Sequence, residues 1–531
     1  MRQRELMFLA QQNKGTPKIS MQPFLLLVTI ILTAETYLCS ALSSKSIVVD
    51  VATANTVASS FVHGTDLGPL CLGYPPFDDT NPRFSGPDVT EDMRKLDITL
   101  VRTHDSSLLD WPVYFPHPDL DVDTDDPANY DFSQGDAWLA SVLDNGFEPY
   151  FRLGASFNFP GGGLPNDPTE VNLTALVDVL LHTVMHYRDG WGSNESYPGY
   201  PIKYWEIWNE PDSSCDWSNS PSCGQFWNRT NRELIDLVDM TARAIKAYNS
   251  SLIVGANGCA LPYAPWVTEE ENPYSWGLID EMASRKTPID FFSWHYYTDN
   301  SDLLTEISRA VRSKLDSVGL TQVSQHVTEW NICMNCMEQD TVSGAASIVT
   351  TMINMIQNRV DLATFYPACV SGEGEATGHG WGLFDQDTSP GQAIWRPMTY
   401  TYQYFADLVK TAPMLIPSSG VKIQPEQSSN LNFAAIAGQT TGDNVATIKV
   451  LLTSKSEVTD NSPQDVSISI TNVIGSSWQY TATVVDDSRV NETLVTGKID
   501  VTTVDASRSL DVPTFSMPPI SVVYIQLTQV A

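Results

Sequence analysis

Lys203-Tyr204-Trp205-Glu206-Ile207-Trp208-Asn209-Glu210-Pro211-Asp212 is the stretch on which the fold turns. It is a short, largely aromatic and β-branched run that ends abruptly in polar residues, the pattern of a buried strand emptying into a loop. Amphipathic stretches flank it, Leu173 to Tyr187 before and Glu233 to Tyr248 after, with apolar residues recurring at three- and four-residue intervals. A strand between two helices is the repeat unit of a parallel sheet.

The same unit recurs outward in both directions. Seven further runs have the same texture: Ser60 to Gly64, Ile98 to Asp105, Phe147 to Ser156, Leu252 to Ala260, Ile289 to Asp299, Gln325 to Asn331 and Leu362 to Val370. Eight such units predict a (β/α)8 TIM barrel. A doubly wound sheet is disfavoured, because no Gly-rich phosphate loop follows the first run. Beyond about Thr411 the helical periodicity stops. Dense or alternating β-branched segments such as Asn444 to Thr453, Asp465 to Val473, Gln479 to Val485 and Ile520 to Leu527 predict a C-terminal β-sandwich. The expected division is a signal segment over 1–41, a catalytic barrel over 42–411 and an accessory sandwich over 412–531. Residues 46–58 are a candidate extra strand for the sandwich.

The polar residues collect at the C-terminal ends of the runs: Arg102-Thr103-His104-Asp105, Trp208-Asn209-Glu210, Trp294-His295-Tyr296-Tyr297 and Glu329-Trp330-Asn331. In a barrel those ends share one face, where sites form. Glu210 and Glu329 each follow an apolar run directly and stand beside Trp and Asn, an odd setting for a solubilising charge. Two carboxyl groups held close on one barrel mouth suit glycosidic-bond cleavage with retention, one donating a proton and the other attacking the anomeric carbon.

W-N-E-P on the fourth run and T-E-W on the seventh resemble clan A glycoside hydrolases. With V-R-T-H on the second run and D-F-F-S-W-H-Y-Y on the sixth, residues 60 to 411 more closely resemble family 39, which includes β-xylosidases and α-L-iduronidases. The resemblance implies Glu210 as acid/base and Glu329 as nucleophile. It also implies that Asn209 bonds the sugar's 2-hydroxyl, that Arg102 orients Glu329 and keeps it ionised, that Tyr297 contacts the nucleophile, and that His104 and His295 bind sugar. Among the tryptophans, Trp330 and Trp381 are the expected sugar platform, because aromatic faces pack on pyranose rings. Trp294 departs from the pattern: the family's β-xylosidases carry Arg there, so xylose specificity does not follow from the resemblance.

Thirty basic residues against 63 acidic ones give a formal charge of −33, which repels nucleic acid and anionic membranes and favours an uncharged oligo- or polysaccharide or glycoside as substrate. No cofactor and no metal are expected. The acidic run Asp119-Leu120-Asp121-Val122-Asp123-Thr124-Asp125-Asp126 lacks the internal Gly and closing Glu of a calcium loop and reads as solvated. Basic residues Arg2, Arg4, Lys14 and Lys18, an apolar run from Phe24 to Ala34 and small residues at 39–41 read as a secretory signal, or else a retained anchor. The apolar run is too short to span a bilayer and Glu35 interrupts it. Sequons at Asn172, Asn194, Asn228, Asn249 and Asn491 agree with a secreted glycoprotein. Seven cysteines remain after Cys39; Cys215 and Cys223 close a short loop and are the best disulfide candidates. Cys333 and Cys336 form a C-x-x-C, read as a disulfide, a redox pair or half a zinc site.

Two other readings compete with a retaining glycosidase. A non-catalytic carbohydrate-binding protein on a decayed scaffold is disfavoured by the presence of both glutamates. A barrel esterase needs a G-x-S-x-G elbow, which the chain lacks.

Overall fold

The computed structural model describes residues 44–55, 61–70, 88–104, 106–156, 159–165, 172–193, 199–213, 226–260, 273–333, 337–368, 382–386, 393–424, 433–440, 446–455, 463–504 and 507–530. Cys215, Cys223, Cys336 and Trp381 lie outside them.

Strand β1 (Ser44–Asp50) precedes a closed parallel barrel of β2 (Val62–Asp66), β3 (Leu100–Arg102), β4 (Glu148–Leu153), β5 (Tyr204–Ile207), β6 (Ile253–Cys259), β7 (Phe291–Tyr297), β8 (Ser324–Asn331) and β9 (Leu362–Phe365). All eight expected runs therefore form the barrel. Helices alternate with the strands; that over Asn231–Tyr248 starts at a capping box in which Thr230 and Glu233 exchange side-chain and backbone bonds.

Side chains alternate along each strand, and the alternation sorts them into two cores. On β7, Phe292, Trp294 and Tyr296 face outward into the large barrel–helix core, while Phe291 joins Leu100, Tyr150 and Leu362 in a small cluster inside the barrel. On β5, Trp205 and Ile207 face out, and Glu206 points in.

Two bulges break this period at the C-terminal face. On β8, Val327 stands opposite Trp294 but Glu329 stands opposite His295, so Thr328 is an extra residue. Thr328 and Glu329 consequently both reach the interior, where Thr328 bonds Glu206 and Glu329 bonds Arg102. On β6, Ala256 stands opposite Phe292 and Cys259 opposite Trp294, leaving one residue extra at 257–258. Gly258 there has φ +57°, and a Cβ on it would lie 2.9 Å from His295 Nε2. Glycine lets this backbone approach the site closely.

After the short hairpin β10 (Phe384–Gln386) and β11 (Ala393–Trp395), the chain forms β12 (Met414–Ile416), β13 (Val421–Gln424), β14 (Phe433–Gln439), β15 (Thr447–Lys455), β16 (Gln464–Thr471), β17 (Ser477–Asp486), β18 (Arg489–Asp500), β19 (Thr502–Val504), β20 (Ser507–Met517) and β21 (Ile520–Gln529). They make two sheets, ordered β13-β1-β16-β20-β19 and β12-β14-β15-β21-β17-β18. One expected boundary is corrected here. Ser44–Asp50 belongs to the sandwich and not to the barrel range 42–411, and it pairs in parallel with β16 in an otherwise antiparallel domain. The six-stranded sheet is buried on both faces, since Leu451, Val485, Val522 and Tyr524 pack into the barrel–helix core. That explains the unbroken burial of β15 from Ile448 to Ser454 and the burial of nearly every side chain on the helix Val342–Gln357 beneath it.

Candidate active site

The site is organised around one cation. Arg102, at the end of β3, is fully buried, which is tolerable only if every charge is compensated. Its Nη1 donates to Asp66 Oδ1 at 2.9 Å and Glu329 Oε1 at 2.8 Å, its Nε to Glu206 Oε2 at 2.8 Å, and its Nη2 to Asn209 Oδ1 at 2.7 Å. Three carboxyl groups on three strands thus share one guanidinium, which they hold well on the charged side despite the burial that opposes it. Such crowding cannot leave every carboxyl ionised equally. Asp66 is pushed well above the ordinary carboxylate range, by burial first and by Glu329's charge after it, with Arg102 opposing.

Glu329 is 5% exposed. Besides Arg102 on Oε1 it accepts from Tyr297 Oη on Oε2 at 2.7 Å, and His104 Nε2 lies 3.4 Å from Oε1. The Arg102 and Tyr297 donors fix the orientation of the carboxylate, as a nucleophile requires. Burial and the neighbouring Glu329 drive the Tyr297 hydroxyl well above its usual range, so it remains a donor.

Glu210 sits differently. Its backbone is left-handed, φ 40°, two residues after Trp208 at φ 75°, conformations uncommon outside glycine and often found at functional sites. The turn is secured by Glu210 N–H on Gly258 O at 2.9 Å. Its side chain is 16% exposed and Oε1 lies 2.7 Å from His295 Nδ1. Burial, aided by Asp212 and opposed by Arg102, pushes its pKa up to about 8, so it holds a proton at neutral pH. Burial likewise depresses His295 to about 4, leaving it neutral.

One ligand-type atom from each of Glu210, His295 and Glu329 falls within 4.8 Å of the other two, so the carboxyl groups face each other at close range. This is also the group with metal-type spacing among the described residues. The Arg102 guanidinium on Glu329 already supplies the positive charge that a cation would bring.

Glu210, Glu329, Arg102, Tyr297, Asn209, His104 and His295 therefore gather at one mouth. Asn209 commits its carbonyl to Arg102 and one amide hydrogen to His104 Nε2 at 3.2 Å, leaving the other amide hydrogen for a ligand. His295 bridges the two carboxyl groups, at 2.7 Å from Glu210 and 3.4 Å from Glu329, where a sugar contact alone was expected. Trp330 requires correction: it is 1% exposed and packs edge-on to Phe365 in the barrel–helix core. The bulge that turns Glu329 inward turns its neighbour outward. Trp294 is likewise a core residue, its Nε1 on Gln325, so its identity does not bear on the sugar. Trp381 is outside the described residues. Sequence reading missed Asp66 and Glu206. Glu206 was visible as a charge inside the apolar run W-E-I, and Asp66 lay two residues beyond the assigned end of the first run.

Comparison with known proteins agrees with this architecture. Residues 88–493 match the model for glycosyl hydrolases family 39, and the chain belongs to that family. A β-xylosidase of Geobacillus stearothermophilus is 23% identical over 265 residues, 43% of this chain and 47% of that protein, so the match spans about half of the relative's length. A glucosidase from Croceicoccus marinus shares the fold with a TM-score of 0.63 at 21% identity, covering 92% of this chain and 100% of that one. A monomeric β-xylosidase from Caulobacter crescentus CB15 shares it with a TM-score of 0.60 at 16% identity, covering 92% and 100%.

Proposed function

We propose that this family 39 chain is a retaining O-glycosidase acting on an uncharged glycoside. The observation that carries the proposal is the pair of facing carboxyl groups within 4.8 Å, one protonated at neutral pH and the other held by Arg102 and Tyr297. Retaining enzymes keep the pair at about 5 Å, whereas inverting enzymes leave about 6.5–9.5 Å for a water. Glu329 attacks the anomeric carbon as Glu210 gives its proton to the departing oxygen: the C1–O bond breaks and a C1–Glu329 ester forms. Glu210, now ionised, then takes a proton from water as that water's oxygen displaces Glu329 from C1. The sugar leaves with its original anomeric configuration. The β-xylosidase and glucosidase among the relatives make β-xylosides and glucosides the first substrates to try.

Charge distribution supports a neutral substrate. The eight segments that run from a barrel strand to the next helix longer than four residues hold 26 Asp or Glu against three Arg and no Lys. Two of those arginines are buried: Arg229 bonds Pro165 O, and Arg396 ion-pairs with Asp340 and Asp385. Such a mouth repels uronates and sulfated glycans, so an iduronidase-like activity is the weaker alternative.

Secretion with signal removal, glycosylation and disulfide formation belong to the same proposal. In favour are the N-terminal segment, the sequons, and the closely spaced cysteines Cys215 with Cys223 and Cys333 with Cys336. Among the described residues no helix is long and apolar enough to cross a membrane. The test is a panel of aryl glycosides with NMR of the first-formed sugar. Release with retained configuration is expected; release with inversion, or no release from any glycoside, overturns the proposal.

A further inference from the structure

A cavity of about 520 Å³ lies on the seam between barrel and sandwich, walled by the helices Thr90–Lys95 and Pro397–Thr411 and by β17, β18 and β21. Its size falls within the range of about 300–1,000 Å³ that ligand sites occupy. The charges around it are matched among themselves. Lys95 Nζ lies 2.9 Å from Asp92, Lys410 pairs with Asp97, Lys449 with Asp407, and Arg94 with Glu91 while also donating to Asn145 O at 2.7 Å. Such a wall offers hydrogen bonds without net charge, which suits a polyhydroxyl ligand better than an anion.

Asn491 stands on the edge of this cavity and opens the sequon Asn491-Glu492-Thr493. On β18, Glu492 stands opposite Val484 and Val490 opposite Val485, so Asn491 is an extra residue, exposed and left-handed at φ 59°. Its amide is oriented from below. Tyr404 Oη donates to Asn491 Oδ1 at 2.9 Å, and the buried Tyr404 ring stacks on Tyr524 with centroids 5.0 Å apart. A sugar on Nδ2 replaces one hydrogen there and leaves the bond at Oδ1 intact.

The sequon at Asn228 has the opposite geometry. Asn228 Nδ2 points at Leu164 O, 3.4 Å away, and a Cβ on Gly161 would lie 2.6 Å from that nitrogen. Its Oδ1 is buried as well. A pyranose has no room at that nitrogen, and forcing one in would displace the loop whose Phe226 O holds Trp208 Nε1 at 2.8 Å.

From this geometry we infer that Asn491 carries an N-linked glycan whose first sugars lie in the seam cavity, and that Asn228 folds unmodified. The donor is a lipid-linked diphosphate oligosaccharide: an Nδ2–C1 bond forms, the C1–O bond to the diphosphate breaks, and the displaced amide proton passes to the diphosphate. The inference rests on the secretory reading above for the encounter with a transferase; the seating of the sugar does not.

The test sends the full chain through the secretory route of a eukaryotic host twice, once with its own N-terminal segment and once with a host signal in its place. The secreted protein is treated with peptide-N-glycosidase F in heavy-oxygen water, which marks each Asn that bore a glycan as labelled Asp, and is mapped by mass spectrometry. Asn491 is expected to be marked and Asn228 unmarked. Thr493→Val, an exchange of β-branched side chains at an exposed position, breaks the sequon and should abolish the mark at Asn491 alone. Because its first sugar is seated in the cavity, the Asn491 glycan should survive the glycosidase on the native chain and be lost after denaturation. An unmarked Asn491 in the secreted chain, a marked Asn228, or equal release of the Asn491 glycan from native and denatured protein overturns the inference. Secretion and marking of Asn491 with the host signal only would sink the reading of the N-terminal segment and leave this inference standing.

Discussion

The ends of β5 and β8 deliver chemically identical carboxyl groups to one mouth by opposite means. On β8 a bulge aims Glu329 inward, where Arg102 and Tyr297 supply direct donors. On β5 the strand simply ends, and two left-handed residues swing Glu210 beside a neutral histidine with Asp212 nearby. The first environment is rich in donors and the second poor in them. Backbone geometry that differs by a bulge on one side and a turn on the other thereby sets which carboxyl group is held by donors and which keeps its proton.

The largest effect comes from deleting either carboxyl. Glu329→Gly and Glu210→Ala should each lower kcat on glycosides with poor leaving groups by about 10⁴-fold or more. Azide should restore both, yielding the inverted glycosyl azide from the first and the retained one from the second. The same anomer from both variants would erase the distinction between the two ends.

Next in size is Arg102→Met. It leaves Asp66, Glu206 and Glu329 buried without a counter-charge, so a loss of about 3–5 kcal/mol in stability is expected along with loss of activity. A melting temperature equal to the parent's would show that the cluster is not held as its geometry implies.

How much of this could be read in the sequence follows from the same contrast. Glu210, Glu329, Arg102 and Tyr297 were legible because polar residues closing apolar runs must share a barrel face. The bulge in β8 was not legible, since V-T-E-W reads equally well with either parity. That ambiguity is why Trp330 was expected on the sugar face and lies in the core instead. Glu206 was passed over because a carboxylate inside a strand has meaning only once Arg102 is placed against it, from a strand 104 residues away. The candidate sandwich strand within 46–58 was legible and forms as Ser44–Asp50, but its parallel pairing with β16 was not, since that partner lies more than 400 residues on.

A smaller effect is expected in the pH profile. Glu210 must be protonated to act, and its raised pKa means that the proton is present below about pH 8 and lost above it. For slow-leaving aglycones kcat/KM should therefore fall on the alkaline side with a midpoint near 8. In Glu210→Ala that limb should vanish; a limb that persists belongs to another group.

The smallest effect tests the outward neighbour of the nucleophile. Trp330→Phe shrinks a core side chain and should lower the melting temperature by a few degrees. KM for aryl glycosides should stay within about threefold, because the ring is packed on Phe365. A large rise in KM with unchanged stability would put Trp330 back on the sugar face.

The central claim is that the β8 carboxylate attacks the sugar and the β5 carboxyl does not. Trapping the enzyme with 2-deoxy-2-fluoro glycosides that carry a good leaving group, followed by peptide mass spectrometry, tests it directly. The account predicts a glycosyl adduct on the peptide containing Glu329. An adduct on Glu210 would contradict it, and so would turnover of the same reagents with inversion and no adduct.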